Sequence, residues 1–123
     1  MNVVDSSAWM AWFADHRNAN AFAAPITRVN RLLVPSIALT EVFKSILRQQ
    51  GKSEALRAIT QMKLGQVVPL DSILAVDAAE YGIRYKLPLA DSIIYATARR
   101  FDAVLWTQDA DFKDLPGVKF FAQ

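Results

Sequence analysis

The sequence contains no cysteine and a single histidine, His16. The first absence excludes a disulfide framework and any thiolate metal site; the second excludes the histidine-rich clusters on which zinc enzymes usually rely. A metal bound by this chain must be held mainly by oxygen. Neither charge is in large excess, since 14 basic residues against 12 acidic ones leave a formal net charge of +2. That balance permits a polyanionic partner without demanding one. No apolar run approaches membrane-spanning length, and the opening Met-Asn-Val-Val-Asp lacks a positively charged leader. A soluble, cytoplasmic protein is therefore expected. Repeats, linkers and low-complexity segments are also missing.

What is present is apolar and regularly punctuated. Hydrophobic residues make up 53% of 123 positions, enough for one buried core, so a single domain over residues 1–123 is expected. Five short apolar runs predict strands, at Val3-Val4, Leu32-Leu33-Val34, Gln66 to Pro69, Ala103 to Thr107 and Val118 to Phe121. Between them lie helical patterns. One begins near Ser7, where the oxygens of Asp5-Ser6-Ser7 can cap it, and a second lies between Asn18 and Arg31, bent or interrupted at Pro25. A third carries Ile37, Val42, Phe43, Ile46 and Leu47 at helical spacing and stops at Gly51. Further helices are predicted over Ser53 to Leu64, from an Asp71 cap to about Lys86, and over Ala90 to Phe101. Strands alternating with helices imply a mostly parallel, helix-covered sheet of five strands.

Four carboxylates stand out by position. Asp5 closes the first apolar run, Asp109 follows the fourth, and Glu41 and Asp91 lie in predicted helices beside such runs. In open α/β sheets, ligands collect outside the carboxyl ends of the strands. Singly, each acid has an ordinary explanation. Asp5 caps a helix as readily as it binds a cation, with Ser7 orienting it in the second case. Glu41 falls beside Lys44, Ser45 and Arg48 on the helical wheel, the pattern of a solvated ion-pair face, though the same arrangement would set two cations where they could hold a phosphate backbone. Asp91 is favoured in a first helical turn by the helix dipole, yet it is the only charge between Lys86 and Arg99. Asp109 and Asp111 both qualify as turn caps; Asp109 is the preferred ligand and Asp111 an occasional helper. Several carboxylates at one edge would resist ionisation unless a divalent cation neutralised them. Oxygen ligands suit Mg²⁺ or Mn²⁺, and the natural chemistry of such a site is phosphodiester hydrolysis.

Four segments together resemble the PIN-domain family, specifically its small VapC-type toxins: Val3-Val4-Asp5-Ser6-Ser7, Pro35 to Val42, Leu87 to Ala98, and Val104 to Phe112. The resemblance covers essentially the whole chain, and the four segments in this order and spacing are specific. It implies a three-layer α/β/α sandwich with a central parallel sheet and Mg²⁺- or Mn²⁺-dependent endoribonuclease activity, commonly on transfer or ribosomal RNA. In the family's pattern the metal-binding and catalytic acids fall on Asp5, Glu41, Asp91 and Asp109, with Ser7 and Thr107 at supporting hydroxyl positions. Homodimerisation and a neutralising antitoxin protein follow from the same resemblance.

Trp9-Met10-Ala11-Trp12-Phe13 is apolar around more of its helix than one buried face requires, so part of it is expected to meet a partner. Lys44 and Arg48 are the first candidates for RNA contacts, with Arg99 and Arg100 behind them. His16 reads as a helix-terminal charge. Ser6 and Ser7 lack the surroundings of a nucleophile elbow, which argues against a Ser-His-Asp hydrolase. A phosphoacceptor receiver domain fails at Ser6-Ser7, Pro35 and Thr107-Gln108-Asp109, where its acidic pair, acceptor aspartate and lysine would stand. The remaining alternative is a non-catalytic RNA-binding or signalling module of similar α/β fold.

Overall fold

Val3 and Val4 are adjacent in sequence but are buried on opposite sides of the molecule, the signature of a strand covered on both faces. A computed structural model describes residues 1–123. Its elements run β1 (Asn2–Val4), α1 (Ser6–Phe13), α2 (Ala19–Thr27), β2 (Leu32–Pro35), α3 (Ser36–Gln50), α4 (Lys52–Met62), β3 (Gln66–Val68), α5 (Ser72–Tyr85), α6 (Leu89–Arg100), β4 (Val104–Thr107) and β5 (Val118–Phe120). All five predicted strands and all six predicted helices are present, with ends shifted by a few residues at most. Pro25 neither ends nor interrupts α2.

The strands form one sheet in the order β3-β2-β1-β4-β5, and every pairing is parallel. Val3 lies level with Leu33 on one side and Leu105 on the other. Because side chains alternate along a strand, these three residues point to one face, while Val4, Leu32 and Val34 point to the other. The first face packs under α5 and α6 through Leu74, Ala78, Ile94 and Ala98. The second packs under α1 to α4 through Trp9, Phe22, Val42, Ile46 and Met62. Each fully buried Val, Leu, Ile, Phe or Met among them contributes about 1.5–3 kcal/mol, and helices on both faces of the sheet make a three-layer α/β/α sandwich.

Local chemistry sets the element ends. Asp71 accepts a hydrogen bond from the Leu74 amide (2.9 Å) and so caps α5. Gly51, at φ +91°, turns α3 into α4 in a backbone conformation that a side chain would strain. The strand order supplies the functional geometry. From β1 the chain builds outward through β2 and β3, then returns to the other side of β1 as β4 and β5. Such a reversal opens a crevice between β1 and β4 at their carboxyl ends, where Asp5 and the segment after Thr107 emerge.

Candidate metal centre

Asp5 follows the last residue of β1 and is 1% exposed. It caps α1 by accepting from the Ala8 amide at 2.9 Å, and Ser7 Oγ donates to its two carboxylate oxygens at 2.8 and 3.0 Å. Thr107 Oγ1, at the end of β4, donates to Asp5 Oδ2 at 2.7 Å while accepting from the Asp109 amide at 2.9 Å. The threonine thus joins the ends of the two central strands. The choice between helix cap and site residue posed by the sequence turns out to be no choice, because capping uses one oxygen and fixes the carboxylate at the crevice.

Asp91 stands in the first turn of α6, half-buried. One carboxylate oxygen each from Asp91, Asp109 and Asp111 lie within 4.8 Å of one another, so a single cation could reach all three. Asp109 caps the short 3-10 turn Ala110–Phe112 by accepting from the Asp111 amide at 2.9 Å. That tight turn swings Asp111 back beside Asp109. Assigned only an occasional role from sequence, Asp111 belongs to the most compact acidic group in the molecule; the i, i+2 spacing after a strand end was the available signal.

Glu41 is half-buried on α3 and accepts from Ser6 Oγ at 2.7 Å. The ion-pair face expected around it does not form: Lys44 and Arg48 are exposed and pair with no acid, and the three ion pairs join Arg57 to Glu54, Arg99 to Asp102 and Arg100 to Asp71. A hydroxyl on α1 reaches Glu41 because the two helices cover the same face of the sheet. Ser6 is a residue the sequence reading missed, since nothing in the local pattern links positions 35 residues apart. Of the basic candidates, Lys44 and Arg48 are free, whereas Arg99 and Arg100 are engaged by Asp102 and Asp71.

Crowding shows in the acidities. Burial pushes the Asp5 carboxyl up to about 6, opposed by its hydrogen bonds from Thr107, Ala8 and Ser7 and assisted by the charge of Asp109. Asp91 rises to about 7, first through desolvation and then through the like charges of Asp109, Asp5, Glu41 and Asp111. All four other acids therefore act on Asp91. Such a site favours either protonation or a compensating cation.

The apolar excess of α1 is largely absorbed within the fold. Trp9 is fully buried, and Met10, Trp12 and Phe13 pack partly buried against the α1–α4 core. Trp12 and Phe13 border a cavity of about 300 Å³ with Ile46, Gln50 and Ala58. The more exposed apolar face belongs to α5 and the start of α6, where Ile73, Val76, Ile83 and Leu89 are 59% to 84% exposed. His16 is exposed in the turn after α1. No helix is long and apolar enough to cross a membrane.

Comparison with known proteins agrees with this architecture. Among solved structures, the fold is similar to a chain of a toxin-antitoxin complex from Klebsiella pneumoniae, at 22% identity and a TM-score of 0.80, covering 97% of this chain and 96% of that one. It is similar to VapC20 of Mycobacterium tuberculosis, described as a sarcin-ricin loop cleaving toxin, at 18% identity and a TM-score of 0.74, with 91% and 92% covered. It is also similar to a chain of DNA-bound VapBC from Salmonella typhimurium, at 14% identity and a TM-score of 0.75, with 99% and 98% covered. No curated protein matches by sequence. The family model described as PIN domain matches residues 3–118, and with that span matched the chain belongs to the PIN domain family.

Proposed function

We propose that this PIN-domain protein is a metal-dependent endoribonuclease and the toxin of a toxin–antitoxin pair, acting in the cytoplasm as one nuclease domain over residues 1–123. The observation that carries the reading is the convergence of Asp91, Asp109 and Asp111 within 4.8 Å at the crevice where Asp5 is anchored and Glu41 adds its charge. The residues fit a divalent cation: every donor is a carboxylate oxygen, and the mutual repulsion that raises Asp91 is the kind a cation relieves. Oxygen donors without sulfur or imidazole favour Mg²⁺ or Mn²⁺.

Asp5, Asp91 and Asp109 would hold the metal, with Glu41 as the fourth acid and Asp111, which converges on Asp91 and Asp109, as a further ligand. A divalent cation held by these residues would supply electrostatic stabilisation of the phosphodiester and acidify a nearby water. The remaining work falls to the chain. Ser7 and Thr107 keep Asp5 oriented through their hydroxyls. Ser6 holds one oxygen of Glu41, leaving the other to orient the attacking water. Lys44 and Arg48, one and two turns beyond Glu41 on the same helix, supply cations for the RNA backbone.

RNA as substrate, transfer or ribosomal in class, is supported by the likeness to a toxin described as cleaving the sarcin-ricin loop. A cognate antitoxin is supported by the likeness to chains from toxin-antitoxin complexes. The exposed apolar face of α5 is available to a homodimer.

The test is incubation of total cellular RNA with the purified protein and Mg²⁺ or Mn²⁺, beside an Asp91→Asn variant and an EDTA control. Discrete fragments that vanish in both controls are expected, and their ends identify the target. Intact RNA with wild-type protein freed of any co-purifying inhibitor would sink the nuclease reading. Cleavage that persists in Asp91→Asn would displace it from this site.

A further inference from the structure

Asp91, Tyr95 and Arg99 recur at i, i+4 and i+8 along α6, so they share one side of the helix. Each of the three meets the same stretch of chain, residues 108–117. Asp91 faces Asp109 and Asp111. The Tyr95 ring stacks on Phe112 with centroids 6.4 Å apart and planes 22° apart, and its hydroxyl donates to the Pro116 carbonyl at 2.8 Å. The Arg99 guanidinium fills the space beside Gly117 that a Cβ would need. The contacts run in register along helix and segment alike, with the acidic site at one end.

We propose that Tyr95 is a positioning residue, one that holds the 108–117 segment against α6 and so fixes the separation of Asp91 from Asp109 and Asp111. This rests on the reading of those acids as a cation site.

The need for such a clasp follows from charge. Without a cation, Asp109 and Asp111 repel Asp91 across the gap, and the segment carrying them has no regular structure beyond one 3-10 turn. Near its start it is tied by the Asp109 amide bond to Thr107. Beyond the turn, Tyr95 supplies the side-chain hydrogen bond that ties it to α6. Tyr95 is 1% exposed and Phe112 is fully buried, so the stack is part of the core rather than a surface contact. Burial pushes the Tyr95 hydroxyl up to about 12, with Tyr85 adding to the rise and Arg99 opposing it; it therefore remains a proton donor at any physiological pH. Residue Pro116 is exposed, and water can replace the hydroxyl at its carbonyl. Removing the hydroxyl therefore frees the segment without leaving a buried polar group unpaired.

The experiment uses the full chain as wild type, Tyr95→Phe and Tyr81→Phe. Tyr81 belongs to the same aromatic cluster, its ring 5.0 Å from that of Tyr95, and has no side-chain hydrogen bond to the segment. Mn²⁺ affinity is measured by calorimetry, and amide hydrogen exchange over residues 108–117 is followed in metal-free protein. Tyr95→Phe should weaken Mn²⁺ binding roughly 3- to 10-fold, the size of one net hydrogen bond, and speed exchange in the segment. It should also raise the Mn²⁺ concentration giving half-maximal RNA cleavage while leaving the rate at saturating Mn²⁺ unchanged. Tyr81→Phe should match wild type throughout. Unchanged Mn²⁺ affinity and exchange in Tyr95→Phe would overturn the proposal, as would equal losses in Tyr81→Phe, which would indicate general loosening of the cluster. Wild-type protein that binds no Mn²⁺ would instead sink the cation-site reading, and the exchange comparison would still decide whether Tyr95 holds the segment.

Discussion

Asp5 and Asp91 both carry carboxyls displaced toward neutrality, yet they are built in opposite ways. Asp5 is enclosed and satisfied: a backbone amide and two hydroxyls donate to it, and these bonds pull against the burial that raises it. Asp91 is half-open, has no side-chain hydrogen bond of its own, and takes like charge from four neighbours. One acid is part of the framework and the other sits where the charges collide. At Asp5 the hydrogen bonds offset part of the cost of burying a carboxylate, whereas the crowding at Asp91 stores repulsion that a bound cation would release.

The sharpest way to break that comparison is to neutralise each acid in turn. Asp5→Asn should destabilise the metal-free protein by about 2 kcal/mol, because the amide cannot accept from all three donors and a buried donor is left unpaired. Asp91→Asn should melt above wild type in EDTA, since it removes repulsion and breaks no bond. Both should lose RNA cleavage. Equal melting shifts in thermal denaturation would show that the two sites do not differ as described.

Next in size is the response to pH. Both carboxyls bind their proton more tightly folded than unfolded, so their contribution to stability is complete below about 4 and is lost as pH rises through about 6 and 7. The metal-free protein should therefore lose melting temperature between about pH 5 and pH 8, and the increment from added Mg²⁺ should be larger at the upper end of that range. A Mg²⁺ increment independent of pH would contradict the charge-crowding account.

A mutation at the far end of the 108–117 segment probes the Asp91 side alone. Gly117 has φ +77°, and a side chain there would collide with Arg99. Gly117→Ala should cost about 1–2 kcal/mol from the left-handed backbone and weaken Mn²⁺ binding, with the Asp5 hydrogen bonds untouched. Denaturant titration and calorimetry read the two effects separately. The smallest effect is expected at the proposed RNA-contacting residues. Replacing Lys44 and Arg48 with Ala should leave stability and Mn²⁺ affinity near wild type. It should also make RNA binding less salt-dependent, by about 0.7 in slope for each single-strand phosphate that the variant no longer neutralises.

The sequence alone determined most of the fold, because its signals are local. Apolar runs of three or four residues, helical periodicity, Asp71 as a cap and Gly51 as a stop each act within a turn or two of chain, and the elements fall where those signals place them. Asp5 and Asp109 were legible as site candidates for the same reason: a strand end is a local feature. What the sequence left open was every relation across the fold. Ser6 meets Glu41 because α1 and α3 cover one face of the sheet. Thr107 reaches Asp5 because β1 and β4 are neighbours, and Asp111 turns back beside Asp91 because α6 packs across the loop that carries it. Glu41 accepts from a hydroxyl on another helix, while Lys44 and Arg48 beside it pair with no acid. These pairings join residues tens of positions apart, and their geometry exists only after the helices have packed on the sheet; propensity and periodicity act along the chain and carry no information about that distance.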